Sequence, residues 1–499
     1  MRVNLLFPDQ GLTVFKRNGN SHAAVVEDLD LETIFATMSK GDELIEQVVR
    51  SVFLERNVPV EVILFRQQVL QDVLSKPETF RKIYEIASEA GQAERKVYGG
   101  LFARTPSARL FRSVRVLNVY LELLRELTAT VLKTGGRMSS EGMSTFENTV
   151  IDNLNEQYLA SVEEQLKYLT FPDGVLLGAK LAQSGEGSGY RLLRRNDGYK
   201  KWWDRVSPRT NRQTFRIAPR DESGGRILAE IQDQGVFEAA EMVHSAAQHI
   251  KGFFAALRSE MAFYMGCLNC YEAIVPLNAP ICWPIPLEPG EGVLRFSGHW
   301  ATSLALRTGM PTVANDLGVD GVLRVVITGA NSGGKSTWLR SVGQSMLMMQ
   351  AGMFVLADSF AASIFDGLYT HFSRGEDQNL LGGRLDEELS RLSGVVDEIS
   401  PDSILLMNES FSSTNELEGS AVAEEVLGAL SEAGVRCFLV THIHQLAADL
   451  GASAQKGDRF LIAERSADAC RTYRILVGEP QATSFAYDLY RKIGGFGSE

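Results

Sequence analysis

The stretch GANSGGKST places Gly329, four further residues, and then Gly334, Lys335 and Ser336 between the apolar run RVVIT and the helix-forming run WLRSVGQ. A strand, a glycine-rich turn and a helix in that order form the context that a phosphate-binding loop requires. Glycines let the backbone curl until successive N–H groups face one anion, and the helix that follows presents its positive end to the same point. On this reading Gly329, Ala330, Asn331, Ser332, Gly333, Gly334, Lys335, Ser336 and Thr337 hold a nucleoside triphosphate. Lys335 adds charge at the phosphates and Ser336 offers a hydroxyl to Mg2+. The motif alone specifies no more than that.

Two more strand ends narrow the class. SILLMN ends in Asn408 and Glu409, and RCFLV ends in Thr441 and His442. An acidic pair after an apolar strand divides labour, one group anchoring Mg2+ and the other handling the attacking water. The order of loop, acidic strand end and histidine strand end matches an ABC-type ATPase. Glu409 is then expected to polarise water and His442 to contact the γ-phosphate, with Ser336 and Asn408 as the metal contacts. ATP and Mg2+ are the expected cofactors.

These groups need elements to carry them. The chain has 499 residues, 44% of them hydrophobic, so two to four domains with ample core are expected. Residues 1–170 read as mainly long helices, as in VLNVYLELLRELTATVL. Alternation in YRLLRR and QTFRIAPR marks short strands and hairpins through about residue 232, within a β-containing segment 171–235. Helical periodicity returns in 236–291, as one extended helix or two, until PLNAPICWPIPLEPGEG ends it. In 292–499 the apolar runs RVVITG, ILLMNE and RCFLVTH alternate with helical sequence, as in a mainly parallel sheet.

The five cysteines (Cys267, Cys270, Cys282, Cys437, Cys470) are too few and too scattered for a disulfide framework, which fits a reducing compartment. Cys267 and Cys270 form a CxxC with no second pair to complete a zinc set, so two small buried residues on one helix are expected. No apolar run approaches the roughly 18 residues of a membrane span, and MRVNLLFPDQ has no signal-peptide pattern. A cytoplasmic protein with no membrane partner is the expectation. Net charge is −12, yet residues 190–220 carry ten Arg or Lys against two Asp. Arg194, Arg195, Lys200, Lys201, Arg205, Arg209 and Arg212 are candidate contacts to nucleic-acid phosphates, interleaved with Tyr199, Trp202 and Trp203. Arg104, Arg109, Arg112 and Arg115 read as a helix surface.

With these residues in place, the last 200 or so residues resemble the ATPase domain of the MutS family of DNA mismatch repair proteins. VANDL, TGANSGGKSTWLRSVG, NESFSSTNELEG, VTHIHQLA and the ending YRILVGEPQATSFAYDLYRKIG carry the likeness in family order. FRQQVLQDVL and FFAALRSEMAFYMGCLN resemble the core and lever helices of that family. The resemblance implies a multidomain α and α/β chain: a long-helix core and lever domain with a β-containing clamp-like insertion, and a C-terminal ABC-type P-loop ATPase domain. It also implies a shortened form, without the mismatch-reading and connector domains.

Two departures from the family bear on chemistry. Asn408 stands where the family has Asp, which implies weaker metal affinity and slow but real hydrolysis, since an amide oxygen can still order a metal-bound water. By alignment of Glu388, Gly383 takes the place of the signature serine that reaches the partner's nucleotide, so one hydroxyl contact is lost. The expectation is an ATPase, a homodimer in which ATP closes two ATPase domains and moves a DNA-embracing clamp. Branched or distorted DNA is its expected target. The rival is a nucleotide-gated scaffold ATPase that binds a protein partner without DNA.

Overall fold

The computed structural model describes residues 3–8, 20–97, 105–133, 138–172, 174–184, 187–193, 216–218, 220–330, 332–374, 384–452, 457–465 and 471–480. Two compact units emerge. One comprises Met1–Val3, Glu78–Arg137 and Thr145–Arg258; the other comprises Asn4–Pro77, Met138–Ser144 and Ser259–Glu499.

The first unit is mostly helical. Its helix Pro106–Leu132 starts with Pro in the first turn and with Thr105 Oγ1 accepting from the Ala108 N–H, which satisfies a donor that the helix cannot. Leu110, Val114, Leu117, Leu121 and Leu124 recur every three or four residues and are all buried, so this helix has one apolar stripe. From that stripe Tyr120 packs 5.9 Å from Phe254 of the helix Glu222–Ile274. That helix has 53 residues, which at 1.5 Å per residue makes it about 80 Å long.

Strands β1 (Leu177–Leu181) and β2 (Gly187–Leu192) form an antiparallel hairpin with Leu177 opposite Leu192. The strand reading through about residue 232 needs correction here, because the long helix already begins at Glu222. Gly224, Gly225 and Gly235 weaken the helical signal of ESGGRILAEIQDQG. Asp221 Oδ1 overrides them at the start by accepting from the Gly224 N–H at 2.9 Å. Of QTFRIAPR, residues 216–218 are not strand, and most of the rest lies outside the described residues.

The second unit holds β3 (Ile285–Leu287), β4 (Val293–His299), β5 (Asn315–Asp320), β6 (Arg324–Thr328), β7 (Ser359–Ser363), β8 (Leu368–Phe372), β9 (Ile404–Asn408), β10 (Arg436–Val440), β11 (Asp458–Arg465) and β12 (Arg471–Val477). Among the described residues they make one sheet in the order β12-β11-β6-β10-β9-β8 and another in the order β3-β7-β4-β5. In the larger sheet every neighbouring pair is parallel except β11 with β12. Each residue of β6 and β10 is buried, which is why RVVIT and RCFLV read as continuous apolar runs rather than alternating ones.

Residues 4–77, grouped above with the helices of 1–170, fall in this second unit. Helix Lys335–Gln350 draws them in: Arg340 Nε donates to Asp28 O at 2.8 Å and Gln344 Nε2 to Leu29 O at 2.6 Å. Bonds that join positions some three hundred residues apart leave no trace in local periodicity. No helix among the described residues is long and apolar enough to cross a membrane.

Candidate nucleotide site

Register brings the strand ends together. In β10, Val440 lies opposite Ile327 of β6 on one side and Asn408 of β9 on the other. The residues that follow each strand therefore leave the sheet along one edge, the carboxyl end, where open α/β sheets bind ligands. That edge collects the glycine-rich loop, Asn408, Glu409, Thr441 and His442.

The loop curls as its glycines allow. Gly329 has φ 117° and Gly334 φ 91°, a region costly for any residue with a Cβ, and Ser332 also turns left-handed at φ 56°. A Cβ at Gly333 would come within 2.8 Å of Ala330 O and 2.9 Å of Ala463 Cβ. Lys335 opens the helix with its side chain buried, and its Nζ donates to Gly329 O at 2.9 Å and to Ala330 O at 3.0 Å. Burial pulls its pKa below the usual lysine value, against the opposing pull of Glu409. An ammonium held on backbone carbonyls in a poorly solvated loop is well placed to be drawn to an anion.

Ser336 Oγ donates to Asn408 Oδ1 at 2.8 Å, so a hydroxyl and an amide oxygen share one spot beside the loop. These are hard oxygen donors of the kind Mg2+ takes, and few enough to leave room for phosphate oxygens and water. The residues present fit the metal. One residue on, Glu409 adopts φ 56° and its N–H donates to Val440 O at 2.8 Å. A left-handed side-chain-bearing residue costs of order 1–3 kcal/mol and persists where its surroundings over-determine it. Glu409 Oε1 lies 4.0 Å from His442 Nδ1. Thr441 fixes that turn, its N–H donating to Ile327 O and its Oγ1 accepting from the Ile443 N–H at 3.0 Å.

A cavity of ≈ 860 Å³ opens here. Lys335, Ser336, Glu409 and His442 line its polar end, and Leu304, Met310, Pro311 and Val313 supply an apolar wall. Tyr473 and Asn315 belong to the same lining, and sequence reasoning did not single them out as site residues. Asn315 Oδ1 accepts from the Ile475 N–H at 2.7 Å and thereby ties β12 to the cavity rim. His299, also in the lining, is buried, with Nε2 2.8 Å from Ser345 Oγ, and burial pushes its pKa down to about 3.

Of the residues expected from sequence, Gly329, Ala330, Ser332 to Thr337, Asn408, Glu409 and His442 thus gather at one place. Asn331 and Gly383 lie outside the described residues, as do Arg194, Arg195, Lys200, Lys201, Arg205, Arg209 and Arg212. Cys267 and Cys270 are buried in helix Glu222–Ile274, and burial pushes the Cys270 thiol up to about 12. Among the described residues no group of three or more His, Cys, Asp or Glu could hold a metal ion.

Comparison with known proteins adds two family matches: MutS2 N-terminal domain at residues 58–277 and MutS domain V at residues 325–487. The DNA mismatch repair protein MutS of Chlorobaculum tepidum is 26% identical over 262 residues, 50% of this chain and 29% of its own length. The Endonuclease MutS2 of Streptococcus equi subsp. equi is 29% identical over 271 residues, 54% of this chain and 34% of its own length. The Endonuclease MutS2 of Thermus thermophilus is 31% identical over 185 residues, 36% of this chain and 24% of its own length. The chain spans about a third or less of the length of these three relatives. The match of residues 58–277 to the MutS2 N-terminal domain is one the motifs alone did not draw.

Proposed function

Because the chain belongs to the MutS family, we propose that it is an ATP-dependent DNA-binding protein of DNA repair or recombination, in which two ATPase domains couple nucleotide state to a clamp on DNA. The observation that carries the proposal is the single cavity shared by the glycine-rich loop, Glu409, His442 and an apolar wall. A nucleoside triphosphate is charged at its phosphates and carries a flat, largely apolar base at the other end, and this cavity has both polar and apolar lining.

In the proposed cycle the N–H groups of residues 329–336 and the Lys335 ammonium bind the phosphates. Ser336 Oγ and Asn408 Oδ1 would hold Mg2+, which would supply neutralisation of phosphate charge. Glu409 orients the attacking water and takes up its proton, and His442 donates to the γ-phosphate. The apolar wall excludes water from the base. Asn408 in place of a carboxylate weakens metal binding, and hydrolysis is slow.

Binding to DNA is supported by the basic stretch 190–220 and by the likeness to the DNA mismatch repair protein MutS of Chlorobaculum tepidum. The preferred target is branched or distorted DNA read by shape and backbone. The ATPase reading is tested with Lys335→Ala: wild type binds a fluorescent ATP analogue and hydrolyses ATP, and the variant loses at least about tenfold in affinity. Equal nucleotide affinity in the two proteins rejects it.

A further inference from the structure

Behind the strand end that carries Glu409 lies a buried set of hydrogen bonds with no part in holding nucleotide. Glu388, in the second turn of helix Arg384–Val396, is 4% exposed. Its Oε1 accepts from the Phe411 N–H at 2.6 Å and its Oε2 accepts from Ser413 Oγ at 2.5 Å. Its backbone carbonyl lies 3.1 Å from His371 Nε2. His371 stands in β8, opposite Met407 of β9, and its Nδ1 is 2.8 Å from Ser410 Oγ.

The protons in this set can be assigned. Burial lowers the His371 pKa, so the ring is neutral, and facing a carbonyl requires its proton on Nε2. Nδ1 is then an acceptor, and the Ser410 hydroxyl proton is shared between it and His371 O, also 2.8 Å away. Ser410, Phe411 and Ser413 are therefore each held from behind, by His371 or by Glu388. The residue immediately before them is Glu409.

The backbone conformation gives this set its purpose. Glu409 at φ 56° and Phe411 at φ 65° are both left-handed, a conformation that side chains other than glycine adopt rarely. Two such residues in three do not hold themselves. The Phe411 N–H would be buried without an acceptor were Glu388 absent, and Phe411 itself is 1% exposed. The bond from its N–H to the Glu388 carboxylate fixes the Ser410–Phe411 peptide, which lies between the two left-handed residues, while the side chain packs into the core with Leu405 and Leu439.

We propose that Glu388 is a positioning residue for hydrolysis: from helix Arg384–Val396 it pins the turn Ser410–Ser413 so that Glu409 is held at the cavity rim. This rests on the ATPase reading given above. Among the described residues Glu388 is not part of the cavity lining and its carboxylate bonds to Phe411 and Ser413, so it acts through Glu409 and leaves the phosphate loop alone.

The test compares wild type with Glu388→Ala, Glu388→Gln and Ser413→Ala, measuring the Kd of a fluorescent ATP analogue, kcat, KM and the melting temperature. Glu388→Ala is expected to lose about tenfold or more in kcat while Kd stays within about twofold of wild type. Glu388→Gln, which keeps an acceptor for the Phe411 N–H, should recover most of kcat. Ser413→Ala, at a half-buried position, should fold normally and lose about threefold in kcat alone. Wild-type kcat in Glu388→Ala, or parallel losses in kcat and affinity, overturn the inference. If Glu388→Ala fails to fold, Ser413→Ala decides, and unchanged kcat there overturns it. Absence of both nucleotide binding and turnover in wild type would instead remove the ATPase reading itself.

Discussion

Asn408 Oδ1 already meets the Ser336 hydroxyl, so the two residues proposed to hold the metal face each other through a neutral contact. A carboxylate there would accept the same bond and add a full charge beside a divalent ion. Asn408→Asp should lower the Mg2+ concentration for half-maximal hydrolysis and raise kcat, by roughly three- to tenfold. A magnesium titration of ATPase activity measures this, and identical curves would argue against a retuned metal contact. His299 gives a second single-residue expectation. Its folded pKa of about 3 lies below the ordinary value of 6.5, so its contribution to stability is present above pH 6.5 and is lost as pH falls towards 3. The limiting loss is roughly 3–5 kcal/mol. Melting temperature against pH should fall steeply in the acid range for wild type and less steeply for His299→Gln. Identical slopes would locate acid sensitivity elsewhere. At this scale the sequence was readable where one residue type has one use, as with Gly334 and Lys335 in the loop. It gave Glu388 and Tyr473 no part in the site, because what stands beside them is set only by folding.

Elements were readable in proportion to their periodicity. RVVIT, ILLMN and RCFLV could be read as buried strands because both faces of each are covered, and they stand side by side in one parallel sheet. The start of the long helix at Glu222 was missed because glycine is permissive, and only the Asp221 bond to Gly224 resolves whether it turns or continues. The same ambiguity predicts opposite outcomes for two glycines. Gly252 lies in the long helix, and an added Cβ would meet nothing within 4 Å. Gly252→Ala should therefore stabilise by about 0.5–1 kcal/mol in chemical denaturation, through helix propensity and a restricted unfolded chain. Gly334 has φ 91°, with Tyr473 at 3.4 Å from an added Cβ. Gly334→Ala should cost at least about tenfold in nucleotide affinity, since the loop must open to accept it. If Gly334→Ala binds nucleotide as wild type does, the loop curvature is not what cradles the phosphates.

Over the whole molecule, charge is the property that local structure does not settle. A chain of net charge −12 repels DNA on average, so any binding must come from a patch that overcomes this, and residues 190–220 hold a net +8. Binding through such a patch has a thermodynamic signature: each phosphate neutralised releases counterions, and log affinity falls with log salt by about 0.9 per contact on duplex. Replacing Arg194, Arg195, Lys200 and Lys201 by neutral residues should flatten that slope by as much as about 3–4 and weaken binding at low salt by tenfold or more. Shape recognition makes a separate demand. Forked and four-way-junction DNA should bind more tightly than linear duplex of equal length, and ATP should change the ratio, because a clamp driven by nucleotide closure couples the two ligands reciprocally. Affinity measured on duplex, single-mismatch, forked and four-way-junction DNA, with and without ATP at two salt concentrations, separates these effects. Salt-dependent binding without shape preference would leave a clamp that reads only backbone charge. Affinity no greater than that of an acidic control protein on every substrate would leave the ATPase as a switch for a protein partner.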